Sequence, residues 1–328
     1  MMCIRKTLSL IGVFCLALYL SACSHPAPFA AIRTGVSNSV DVLPFFVMKE
    51  KGFDRALGLR FSEKPYGGGA AILDAMVNNE VDLAPNMGSV PLISFAATGR
   101  IPSVVTVVAS LSVCDLNHPG TGLVVSKSIS SFKQLAGQYI ASNSRNSVVA
   151  MLIAGRLKRE KVFPYTILEI PFPNQGLAVA GGNVAAAPLI EPYLTQSLMR
   201  GDGHLLAWLT GEPPFERMAY TVIAFRTAFL KENPGAVKAY LRAHLRSVSW
   251  IGKHDREARG ILGKTLSIND DVAQKMNLVD WPKDGRNDPK LLLALESEMK
   301  DLGLIDTIIA PEKLYDETLL NAVLGNAR

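Results

Sequence analysis

The sequence predicts an α/β protein of two lobes, and three observations carry that reading. Short apolar strands alternate with helical segments from Ala31 to Phe225, the pattern of parallel sheets covered by helices on both faces. The alternation resets near 115–122, where Gly120 and Gly122 precede a new strand. There are also more strand–helix units than one sheet of ordinary size takes. The chain would cross to an inserted second lobe at 120–210 and return near 209–218, leaving a discontinuous first lobe at 31–115 and 218–328. A single doubly wound sheet with a helical tail is the alternative reading of the same pattern.

Each element has a local reason. A brief strand is predicted over 31–36. A helix follows over 44–52, with Pro44 in its first turn, where a missing N–H is tolerated. Residues 59–64 alternate with period two and read as a strand. Gly67-Gly68-Gly69 then leads into a helix over 70–79. A short strand at 81–84 is broken by Gly88-Ser89, and Ser89 is the candidate cap of a helix over 90–97. The stretch 104–111 is dense in β-branched residues and reads as a buried strand. Beyond the reset, strands are predicted at 123–125, 139–141, 167–170, 184–187, 205–208 and 218–225. Ser131 caps a short helix over 132–136, and 146–161 is an amphipathic helix. Shorter helices are predicted at 174–179 and at 188–199, the latter beginning on Pro188. Helices dominate after Arg226, at 227–231, 234–251, 255–264, 270–278, 289–302 and from Pro311.

The start of the chain is an address. Arg5 and Lys6 precede an apolar run over 8–20, followed by Leu20-Ser21-Ala22-Cys23. A basic end, a short apolar core and small residues before a cleavage point make an export signal over 1–22. The run falls short of the roughly 20 residues that a membrane span needs. Cysteine directly after Leu-Ser-Ala resembles the lipobox of bacterial lipoproteins, which makes Cys23 the lipidated first residue and 23–30 a tether. The chain has 328 residues and a formal charge of +5; losing Arg5 and Lys6 leaves +3. So mild and scattered an excess gives no footprint for nucleic acid. Of four cysteines, Cys3 and Cys15 lie in the signal and Cys23 at the lipid site, so Cys114 alone remains and no intrachain disulfide is possible.

Chemistry finds little support. Gly-x-Ser-x-Gly, His-Glu-x-x-His and Cys-x-x-Cys are absent. His25, His118, His204, His244 and His254 are dispersed, and nothing at ligand spacing proposes a metal or a cofactor. Binding has better candidates. Gly67, Gly68 and Gly69 sit between a strand and a helix, where glycine lets a backbone approach a ligand. Asn86 to Pro91 places a polar side chain, Gly88 and Ser89 between a strand and a helix. Ser142-Asn143-Ser144-Arg145-Asn146-Ser147 gathers hydroxyl, amide and guanidinium donors in one turn, an attractive anion site. Asn174-Gln175 and Glu191-Pro192-Tyr193 open or enter later helices. Each of these has a plain alternative as a turn, a cap or an exposed loop.

The order of these segments resembles the substrate-binding proteins of the nitrate/sulfonate/bicarbonate and thiamine-precursor ABC importers. The resemblance runs through Gly58-Leu59, Gly67-Gly68-Gly69 with Ile72 to Met76, Val81-Asp82-Leu83-Ala84 and Gly88-Ser89-Val90-Pro91. It continues through Ser131 to Gly137, Val184 to Pro188 with Glu191-Pro192-Tyr193, and Phe229 to Pro234. It implies a type II periplasmic-binding-protein fold: two lobes, each a mixed, mostly parallel sheet flanked by helices, with the ligand in the cleft. It implies a monomer, without enzymatic activity, that carries a small polar ligand to a permease driven by a separate ATPase subunit. By position, the implied ligand contacts are Asn38, Asp41, Gly67, Gly68, Gly69, Gly88, Ser89, Ser142, Ser144, Arg145, Asn146, Asn174 and Glu191. Gly182-Asn183-Val184-Ala185 departs from the family in having alanine where an acidic residue is usual, and Ile190 stands where an aromatic is usual. Arg145 would suit an anion such as a sulfonate or nitrate; Asp41 and Glu191 would suit an amine or a heterocycle. A sensor or accessory lipoprotein, or a precursor-synthesis enzyme on the same fold, are the alternatives.

Overall fold

The computed structural model describes residues 29–101 and 103–325. The export signal and Cys23 lie outside them. Four strands open the chain: β1 (Ile32–Ser37), β2 (Phe61–Tyr66), β3 (Leu83–Gly88) and β4 (Val105–Asp115). Five follow: β5 (Gly122–Val125), β6 (Tyr139–Ser142), β7 (Thr166–Glu169), β8 (Ala186–Leu189) and β9 (His204–Trp208). The last, β10 (Arg217–Arg226), returns to the first group. They form two sheets, ordered β2-β1-β3-β10-β4 and β7-β6-β8-β5-β9. In the first, β10 runs antiparallel to both its neighbours; in the second, β5 does. The other strands of each sheet share one direction, so both sheets are mixed but mostly parallel. Two lobes, not one doubly wound sheet, result.

The strands β3, β4 and β10 are buried along nearly their whole length, because helices cover both faces. The 18-residue helix Pro234–Ile251 turns Val237, Tyr240, Leu241, His244 and Val248 inward at helical spacing. Tyr240 meets Phe61 and Phe225 edge-on at 6.2 and 5.6 Å between ring centres. A smaller second core joins Val124, Ala141, Val179, Ala187 and Leu194. The two chain crossings between the lobes are tied to each other: the Leu209 N–H donates to Thr121 O at 2.9 Å, and the Gly120 N–H to Thr210 Oγ1 at 2.9 Å.

Several local expectations change. β3 does not stop at Ala84 but continues to Gly88, so Asn86 is a buried strand residue. Ser89 is the first residue of the helix Ser89–Ala96 rather than its cap; its hydroxyl donates to the carbonyls of Ala219 and Tyr220 on β10. Pro188 lies in β8 opposite Leu123, and the helix starts at Tyr193. Phe29, within the expected tether over 23–30, is held to lobe 1: its N–H donates to Gly58 O at 2.9 Å, and its ring packs against the core.

Candidate functional site

A cavity of about 60 Å³ lies between the lobes. Lobe 1 supplies its floor. After β1 the chain turns through Ser39 into a short 3-10 segment, Val40–Val42, which carries Asp41 inward to 3% exposure. The Ser39 hydroxyl donates to Asp41 Oδ1. Asn86 locks the turn from β3: its Nδ2 donates to Ser37 O at 2.9 Å and to Ser39 Oγ at 3.3 Å, while its Oδ1 accepts from the Ser37 N–H at 3.2 Å. Trp281 Nε1 donates to Asp41 O at 2.9 Å. Burial pushes the Asp41 carboxyl above the usual carboxylate range, and hydrogen bonds from Ser39, Thr221 and Asn86 pull it back. Tyr220 and Thr221 of β10 complete the floor, with Tyr220 Oη paired to Thr121 Oγ1 at 2.7 Å and Thr221 Oγ1 to Ser112 Oγ at 2.5 Å.

The three glycines divide by role. A Cβ on Gly69 would sit 2.6 Å from the Gly88 nitrogen, so close passage of two backbones needs glycine there. Gly68 has φ +152°, and a Cβ on it would sit 2.5 Å from Asn143 Nδ2. A Cβ on Gly67 would meet nothing within 4 Å. Lobe 2 supplies the facing wall: Val148, Val149, Phe172 and Ile190, with Asn143 and Ser147 at its edge. Ser147 caps the helix Val148–Arg159 by accepting from the Ala150 N–H at 3.2 Å. Phe172 stacks on Tyr193 at 5.7 Å.

Of the residues singled out from sequence, Asp41, Gly68, Gly69, Asn86, Gly88, Asn143 and Ser147 line the cavity. Asn38 and Asn174 are exposed, and Ser89 is spent on β10. The Ser142 hydroxyl donates to Ser144 O at 2.9 Å, within the turn itself. Arg145 is exposed and lines a separate outer groove with Phe163, Tyr165 and Leu304; its own N–H donates to Glu169 Oε1 at 2.9 Å. Asn146 Oδ1 accepts from Ser94 Oγ at 3.1 Å, one of several bonds between the lobes. Glu191, 1% exposed, makes another. Its Oε1 accepts from the Asn277 N–H and Nδ2, both at 3.0 Å, and its carbonyl from the Val40 N–H at 3.1 Å. Thr195 holds the same carboxylate from lobe 2. Burial raises the Glu191 carboxyl, against those donors.

Sequence reasoning left Ser37, Ser39, Tyr220, Thr221 and Phe172 unmarked. A hydroxyl such as Thr221 within the apolar run of β10 was the available signal, since buried polar groups need partners. Among the described residues, no cluster of three metal-ligating side chains exists, and no helix is long and apolar enough to cross a membrane.

Comparison with known proteins agrees with this geometry. A model of the NMT1-like family matches residues 25–267. The chain belongs to the NMT1-like family. No curated protein matches its sequence significantly. Solved structures do match its fold. The alkanesulfonate-binding protein SsuA from Xanthomonas axonopodis, bound to MOPS, is 15% identical, with a TM-score of 0.73 over 88% of this chain and 99% of that one. The nitrate-binding protein NrtA from Synechocystis is 15% identical, with a TM-score of 0.72 over 92% and 90%. The ligand-binding component of a Staphylococcus aureus ABC-type import system, with zinc bound, is 14% identical, with a TM-score of 0.73 over 90% and 99%. This NMT1-like chain therefore has the two-lobed type II periplasmic-binding-protein fold with a cleft between its lobes.

Proposed function

We propose that this NMT1-like protein captures a small polar solute outside the cytoplasmic membrane and hands it to an ABC permease served by a separate ATPase. It would act as a monomer held to the membrane through lipid on Cys23, with the crossings near 115–122 and 209–218 serving as the hinge of two lobes. The fold, the export signal and a cleft without Cys, His or Lys in its lining support binding without chemistry.

The observation that carries the ligand class is the charge of the cleft. Asp41 is the one formally charged side chain among the described residues that line it, and it is an acid. Burial, the larger effect, raises its carboxyl, and hydrogen bonds from Ser39, Thr221 and Asn86 pull it back toward the ionised form. An anion about 4 Å from that carboxylate would be repelled by about 4 kcal/mol at an effective dielectric constant near 20. A nitrogen compound with N–H donors, cationic or neutral, fits better than a sulfonate or nitrate. At roughly 10–15 Å³ for each water-sized group, the cavity takes only a few non-hydrogen atoms in this conformation. A thermal-shift panel tests the reading, using the mature protein without its signal. Small amines, amidines and aminopyrimidines should raise the melting temperature, while nitrate, bicarbonate, taurine and alkanesulfonates should not. A shift confined to the anions would overturn it.

A further inference from the structure

We infer that an ionic latch outside the cleft keeps the lobes together when no ligand is bound. It joins the basic end of the helix Val148–Arg159 in lobe 2 to the C-terminal end of the helix Pro289–Asp301 in lobe 1. None of its residues lines the cavity. Its consequence for ligand entry rests on the solute-binding reading above; the latch itself is testable without a ligand. Two independent observations support it.

The first is where three basic side chains go. Cations in the last turn of a helix ordinarily serve that helix's own carbonyl end. Arg156, Lys158 and Arg159 occupy the last turn of Val148–Arg159, and each reaches beyond lobe 2. The Arg159 guanidinium pairs with Glu298 Oε1 at 2.6 Å. The Lys158 ammonium donates to the carbonyl of Asp301, the last residue of its helix, so lobe 2 caps a helix of lobe 1. Arg156 pairs with Glu160 on its own helix and, at 3.3 Å, with Glu212 in the second crossing between the lobes.

The second observation is the space made for the pair. Gly155 lies inside the helix, where glycine lowers helix stability. A Cβ there would sit 2.1 Å from Glu298 Oε1 and 3.2 Å from Arg159 Nη1. Lobe 2 gives up helix propensity at the position that lets a lobe 1 carboxylate settle against it.

The magnitudes suit a latch rather than a lock. One exposed ion pair biases an equilibrium by at most about fivefold, and three such contacts together reach about tenfold. Arg159 and Lys158 face solvent, so dissolved ions screen them, whereas the tie at Glu191 is buried and escapes screening. The latch holds the empty and the liganded closed forms alike. It therefore gates entry and release instead of setting affinity, and external salt is its control.

Small-angle scattering of the ligand-free mature protein tests the latch. The radius of gyration should be smallest near an ionic strength of about 0.01 M, where the screening length is about 30 Å. It should grow toward about 1 M, where that length is about 3 Å. Arg159→Glu should be expanded already at low salt, and combining it with Glu298→Arg should restore the compact form. Lys158→Gln, a milder exposed change, should expand the protein part-way. A wild-type radius independent of salt, or variants as compact as wild type at low salt, would overturn the latch. Acetamidinium, a small planar cation of the proposed ligand class, is the probe for gating. In stopped-flow measurements Arg159→Glu should speed both its association and its release by about tenfold, leaving affinity within about threefold of wild type. Unchanged rates would overturn the gating role while the ligand class stands. If wild type binds no amidine, amine or aminopyrimidine, the ligand class falls and the scattering series alone decides the latch.

Discussion

The two lobes share a strand order but bring opposite things to the cleft. Lobe 1 presents a polar floor in which Ser39, Asp41, Asn86 and Thr221 are cross-bonded before any ligand arrives. Lobe 2 presents an apolar wall of Val148, Val149, Phe172 and Ile190, with one amide at its edge. The difference assigns an order of events. A preorganised acceptor can hold a donor-bearing ligand while the cleft is open. The apolar wall gains only when closure removes it from water. On the proposed reading, lobe 1 would select and lobe 2 would commit.

The largest test concerns what holds the lobes together. Glu191 of lobe 2 collects donors from Asn277 of lobe 1 and from Thr195 beside it. Glu191→Ala strands these buried donors and should cost about 3 kcal/mol in urea unfolding. It should also expand the ligand-free protein in solution scattering. A variant with wild-type stability and dimensions would remove Glu191 from the interface between the lobes.

Next comes the floor itself. Asp41→Asn keeps the shape and removes the charge, and should lower affinity for acetamidinium roughly a hundredfold, the upper range for a bond to a charged group. The pH dependence has a definite sign. Burial raises the Asp41 carboxyl above its unfolded value of about 3.8. Its contribution to ligand-free stability is therefore fully present below that value and is lost as pH rises through the folded pKa. A cationic ligand needs the ionised form, so affinity should move the other way and increase over the same interval. Asp41→Asn should flatten both profiles; profiles unchanged by the substitution would assign the titration to another group.

The glycine turn separates close packing from mere sequence pattern. Gly69→Ala drives a methyl group against the Gly88 backbone and should cost about 1–3 kcal/mol. Gly67→Ala, with open space around it, should stay within about 0.5 kcal/mol. Equal costs in thermal unfolding would contradict the different roles given to the two positions.

These contrasts also show what sequence could and could not reveal. Local rules sufficed for most elements, because alternation, apolar helix faces and caps such as Ser131 are set by near neighbours. The Gly67–Gly69 turn was visible, but three identical letters hid three different surroundings. The floor was harder. Asp41 acquires its meaning from Asn86 and Thr221, which reach it from β3 and β10. No local pattern states that those strands are neighbours. Pro188 and Ser89 misled for the same reason: pairing with Leu123 and bonds to β10 outweighed the local preference of proline and serine for helix starts.

The smallest expected effect is the most discriminating. Arg145 looks in sequence like the natural anchor of an anion, set among hydroxyls and amides ahead of a helix. In the fold its side chain belongs to an outer groove beside Phe163 and Leu304, while the cavity lies on the side of Asn143 and Ser147. A guanidinium in water is screened within about 10 Å at ordinary ionic strength. Arg145→Ala should therefore leave acetamidinium affinity within about twofold of wild type and confer no salt dependence on it. If the substitution instead abolished binding of nitrate or a sulfonate, the positive charge would have to swing into the cleft. The division between a selecting acidic floor and a closing apolar wall would then be reversed, with lobe 2 choosing the ligand.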